Sequence, residues 1–144
     1  MKPGRIADIL AAIATLHSGD RERARDQLGA IWAHVDLDDR FHRCVVAHYM
    51  ADAQTDPVEE LRWDQIALAA AIGASPAEFD DRFPGVTLAS FLPSLHLALA
   101  ADYERLGERT LARMHAAEAA DAAQVLPDGD LTRAAIDALG RRLR

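Results

Sequence analysis

Cys44 and His48 stand four residues apart, and His42 lies two residues before Cys44. On a helix the first two share one face, where a thiolate beside an imidazole is a donor pair for zinc or copper. His42, however, is about 160° around the axis from Cys44 when each residue turns about 100°. Three ligands from one helix therefore do not converge, and the expected state is a buried thiol beside a hydrogen-bonded core histidine, with no metal and no cofactor. His96 stands two residues after Ser94 and seven before Tyr103. Residues two apart on a helix point in nearly opposite directions, so Ser94 and His96 form no nucleophile–base dyad. His96 and Tyr103 share a face and read as core groups with polar tips. Trp32 and Trp63 read as hydrophobic anchors, because no basic groove accompanies them. Asp36-Leu37-Asp38-Asp39 lacks the glycine and the distant glutamate of a calcium loop, so a helix N-terminal cap is expected there. The Arg141-Arg142-Arg144 end complements the dipole of a last helix.

The elements that must hold these groups are helices. The chain has 144 residues, of which half are apolar and 30 are alanine, enough for one domain with a real core. Its formal charge of −7 repels phosphate backbones and anionic lipid, so neither nucleic acid nor membrane is expected as a partner. The longest unbroken apolar run, Ile66 to Ile72, is too short to span a bilayer. No cleavable leader is read in the stretch after Met1-Lys2-Pro3-Gly4-Arg5. With one cysteine the expected location is cytoplasmic.

Apolar residues recur at helical spacing over 5–17, and Gly19 followed by Asp20 ends that helix and caps the next, over about 21–34. A third helix is expected over 39–53. Asp56-Pro57-Val58-Glu59 opens a fourth over 57–72, and Gly73 closes it. Ser75-Pro76-Ala77-Glu78 starts a short helix over 75–82, which Phe83-Pro84-Gly85 breaks. Pro93 marks either a kink or the start of the fifth long helix, which reaches about Leu106. A sixth covers about 108–125, Pro127-Asp128-Gly129-Asp130 breaks it, and a last covers about 131–143. No segment alternates apolar and polar residues, so strands are not expected.

The turn at Gly19-Asp20 is repeated at Gly107-Glu108, each with a small residue five positions after the glycine, Ala24 and Ala112. Such a turn folds two helices antiparallel and in contact. A weaker third copy has Thr55-Asp56 in place of Gly-Asp. Asp20 and Asp56 are 36 residues apart, close to a two-helix repeat.

With Pro127 as the closing proline and Tyr103 in place, the chain resembles a divergent tetratricopeptide repeat. Asp8, Cys44 and His96 stand where that pattern carries a large aromatic. The resemblance implies an all-α fold of about seven helices in antiparallel pairs, arranged as a right-handed superhelix. It implies one domain over 1–144 with repeats at about 5–36, 39–73 and 92–127, an irregular insertion at 74–91 and a capping helix at 130–143. By that register Cys44 and His48 face the partner helix of their pair. First helices would line a concave groove with Ile6, Ile9 and Ile13, then His42, Val45, Tyr49 and Asp52, then Ser94, Leu97, Ala101, Glu104 and Arg105. The first helix is apolar almost all round, so something is expected to cover it: a peptide, the 74–91 insertion or a second subunit. The expected function is a non-enzymatic module that binds a protein or peptide segment, with a homodimer as a variant. The alternative is a small-molecule or metal-binding protein, or an enzyme, that uses His42, Tyr49, Asp52 and Arg105 across the groove.

Overall fold

A computed structural model describes residues 5–79 and 86–144. Among them every regular element is helical: α1 (Arg5–His17), α2 (Arg21–Trp32), α3 (Arg40–Asp52), α4 (Pro57–Ile72), α5 (Pro76–Phe79), α6 (Leu88–Arg105), α7 (Arg109–Ala122), a 3-10 turn (Ala123–Val125) and α8 (Leu131–Arg142). The expected leader-free start at residues 1–4, the end of the short helix at 80–82 and its break at Phe83-Pro84-Gly85 lie outside the described residues.

The starts of the helices follow from local chemistry. Asp20, Asp39, Asp56 and Asp130 each place a carboxylate on a free amide of the first turn, which satisfies a donor that has no partner inside the helix. Pro57 occupies the first turn of α4, where its missing N–H costs nothing. The turn after α1 needs Gly19, whose φ is +96°, and the turn after α6 needs Gly107 at +78°. At the second turn Glu108 N–H donates to the Tyr103 carbonyl at 2.9 Å, closing the helix end in the manner of a Schellman cap. Gly107→Ala puts a Cβ on a left-handed residue and is expected to cost about 1 kcal/mol, read as a lower urea midpoint at unchanged slope.

One boundary departs from the sequence reading. Residues 88–91, assigned there to the irregular insertion, are the first turn of α6. Thr87 caps the Ser90 amide at 3.1 Å while the Ser90 hydroxyl accepts from the Thr87 amide at 2.9 Å, a reciprocal cap built with serine instead of glutamate. Pro93 lies inside the helix and neither starts it nor ends it. It leaves the Ala89 carbonyl without its usual amide donor.

The chain divides into two compact units, Met1–Ala74 and Ser75–Arg144. In the first, α1 packs on α2, α2 on α3, and α3 most extensively on α4. Its core holds Ile9, Ala12, Ala24, Leu28, Phe41, Cys44, Val45, Val46 and Ala67. In the second, α6 packs along α7 and both meet α8. Ala100, Ala112, Ala116, Leu139 and Leu143 form one core cluster there, and Ala119, Ala123 and Ile136 form another. Ala24 and Ala112 are both fully buried, as the small residue after each Gly-acidic turn requires.

Candidate functional site

Arg5, at the N-terminus of α1, lies across the first unit: its guanidinium donates to the His34 carbonyl at 2.9 Å and meets Asp39 at 3.5 Å. Asp39 caps the His42 amide at 3.2 Å and takes the His42 Nδ1–H at 2.8 Å. The carboxylate only accepts, so that nitrogen carries the hydrogen. His42 is fully buried, with its ring edge-on to Phe41.

Burial corrects three of the expected groove residues. Ile9, His42 and Val45 are 0%, 0% and 1% exposed and belong to the core. In α1 the inward face runs through Arg5, Ile9 and Ala12, so Ile9, expected with Ile6 and Ile13 on the groove side of the helix, points into the core instead. An apolar helix gives no polar face to fix its rotation, and small Ala12 permits close approach where a larger side chain would not. Ile6 and Ile13 are half-buried, Tyr49 is half-buried and Asp52 is exposed. Burial, aided by Asp52, pushes the Tyr49 hydroxyl up from its ordinary range.

His48 faces α4, as expected, through Asp64. Cys44 is fully buried, and desolvation raises its thiol far above the usual range, so no thiolate is available. His48 Nδ1 stands 3.7 Å from the Asp64 carboxylate on α4, itself buried. Trp32 meets Trp63 edge to face at 5.1 Å, and the Arg43 guanidinium lies 4.7 Å over Trp32. The two tryptophans thus tie α2, α3 and α4 as anchors.

What α1 turns outward is a stripe at helical spacing: Ala7, Leu10, Ala11 and Ala14 are exposed, Leu10 to 45%. Beside it a cleft of about 400 Å³ opens between α1 and α2, lined by Ala11, Ala30 and Ile31 together with Arg5, Asp8, Gln27 and His34.

In the second unit, Ser94, Ala101 and Glu104 are half-buried, and Leu97 packs against both core clusters. Glu104 pairs with Arg142 of α8 at 3.0 Å, and Arg105 with buried Asp102 at 3.2 Å. Of the residues read as an alternative acid–base set, His42 is engaged by Asp39 and Arg105 by Asp102, each within its own unit. A second cleft of about 390 Å³ lies between α7 and α8, with Arg113 and Arg141 at its edge. Arg113 is engaged, donating to the Leu143 carbonyl at 2.5 Å.

The sequence reading missed His115. Folding α7 back over α6 about Gly107 brings it against His96, with the Nδ1 atoms 3.2 Å apart, and against the Tyr103 ring, nearly parallel at 13°. The hairpin turn was the available signal, since an antiparallel pair opposes residues at similar distances on either side of its glycine. Burial lowers both histidines from the ordinary imidazole value of 6.5; their mutual repulsion adds to this at His115, and Glu118 opposes it at both. A group whose folded pKa is lowered binds protons more readily unfolded, so its contribution is complete above about pH 6.5 and declines as pH falls below that. The thermal midpoint is expected to drop below pH 6.5 with a slope that His115→Gln flattens. An unchanged slope in His115→Gln would remove this pair as its source.

Among the described residues no group of three or more histidine, cysteine, aspartate and glutamate side chains converges as a metal cage, and no helix is long and apolar enough to cross a membrane. Compared with family models, curated proteins and solved structures, the chain matches none of them.

Proposed function

We propose that the chain is a non-enzymatic protein-interaction module that takes the apolar face of a partner helix on α1 and in the α1–α2 cleft. The observation that carries this reading is the exposed stripe Ala7, Leu10, Ala11 and Ala14 beside a groove of mixed apolar and polar lining. Alanines let a second helix backbone approach closely, and Leu10 supplies a knob for it. Burying Leu10 would contribute up to about 1.5–3 kcal/mol, and Asp8 and His34 in the lining would set the partner's register. The Gly-acidic helical hairpins support the resemblance to tetratricopeptide repeats, which use helix pairs for this purpose. The single unpaired cysteine supports a cytoplasmic location.

The test uses partners recovered by affinity capture and then titrated against purified chain. Leu10→Asp and Ala11→Trp, one removing the knob and one filling the cleft, are expected to weaken association at least about tenfold, the effect of 1.4 kcal/mol, with helix content unchanged. Sedimentation of the chain alone separates the homodimer, which the same two substitutions would dissociate. Association that survives both substitutions would place the interface elsewhere and end this reading.

A further inference from the structure

His96 and His115 approach each other in an unusual way. Their Nδ1 atoms are 3.2 Å apart and their ring centroids 5.5 Å. The difference is about one imidazole ring diameter, so both nitrogens lie on the line joining the rings. Each Nδ1 is aimed straight at the other, and one hydrogen is shared between them. The pair is half-buried, and Tyr103 stacks on His115 at 5.5 Å.

Two donors in line are too few and too straight for zinc, which takes four ligands tetrahedrally. They suit a closed-shell monovalent ion, which is stable between two opposed donors, and imidazole is a copper ligand. We infer that His96 and His115 form a linear two-coordinate site for Cu(I) on the α6–α7 hairpin. The hydrogen between the rings moves from Nδ1 to Nε2 of its own ring as the ion enters, so two neutral imidazoles ligate and no net proton is released. The rings part by a fraction of an ångström. Their 28° interplanar angle is no obstacle, because linear coordination sets no mutual ring orientation. The positive charge has its counterpart in Glu118, the carboxylate whose field favours charge at both rings. Tyr103 acts as a positioning residue by holding the His115 plane. The site is independent of the α1–α2 face.

The experiment runs anaerobically in a Cys44→Ala background, which removes the competing thiol, and withdraws Cu(I) from its bicinchoninate complex. One equivalent is expected to transfer, with an X-ray absorption spectrum of two nitrogen neighbours in line. His96→Gln and His115→Gln should each weaken uptake by more than about 100-fold, beyond the 10–100-fold that outer-shell groups give, while Tyr103→Leu, which removes the stacked ring, stays within that outer range. If either glutamine variant fails to fold by circular dichroism, Ag(I) titration of the Cys44→Ala chain decides instead: both Nδ1 resonances must shift together at one equivalent. No transfer, transfer indifferent to both histidines, or a tighter histidine-dependent Zn(II) complex would each overturn the assignment, the first leaving a hydrogen-bonded pair only.

Discussion

Ile9→Asp is expected to unfold the first unit, while Leu10→Asp, one residue away, leaves it folded. Ile9 is fully buried and Leu10 is 45% exposed. The first substitution removes the transfer and cavity terms of a core isoleucine, about 2–5 kcal/mol, and also places a carboxylate where no water can reach it. Against a fold stable by about 5–15 kcal/mol, a total loss above about 4 kcal/mol is a collapse in practice. The second is a surface change, expected within about 0.5 kcal/mol. Urea unfolding followed by circular dichroism reads both. Equal losses in the two variants would mean that α1 is rotated from the face described.

Helix boundaries were legible in the sequence, because caps and stops are local: Asp20, Asp39, Asp56 and Asp130 act on amides two or three residues away, and Gly19 and Gly107 are the residues able to take a positive φ there. The start of α6 was hidden because Pro93 carries a stronger breaking signal than the Thr87–Ser90 pair carries a starting one, although five residues of helix precede that proline.

Rotation was less legible than extent. In α3 the repeat register places His42 in the groove, yet a buried imidazole is tolerated once a capping carboxylate three residues earlier takes its N–H. In α1 nothing polar opposes the isoleucines, so the repeat register alone places Ile6, Ile9 and Ile13 in the groove, whereas Ile9 is buried with Arg5 and Ala12. The candidate site at His96 was half visible: its spacing to Tyr103 is sequential, whereas His115 arrives only through tertiary folding at the Gly107 hairpin. The outward stripe on α1 follows from the same rotation, since once Ile9 points in, Leu10 and Ala14 must point out.

Asp39 concentrates more of the first unit's polar structure than any capping residue needs. Its carboxylate caps the start of α3, receives the buried His42 ring and meets the Arg5 guanidinium, itself 9% exposed. Asp39→Ala is therefore expected to cost about 3 kcal/mol: about 1 for the cap, and the rest for a buried imidazole N–H and a buried guanidinium that each lose an acceptor. Asp39→Asn separates the contributions. Its amide oxygen still caps the His42 amide, as asparagine does at helix starts, but one neutral oxygen cannot serve the amide, the ring and Arg5 together. A loss near 1.5 kcal/mol, roughly half that of alanine, is expected from urea midpoints at constant slope. Equal losses for the two would show that capping contributes nothing. A loss below about 0.5 kcal/mol for alanine would show that Arg5 and His42 find other acceptors, and that the link from α1 to α3 does not rest on Asp39.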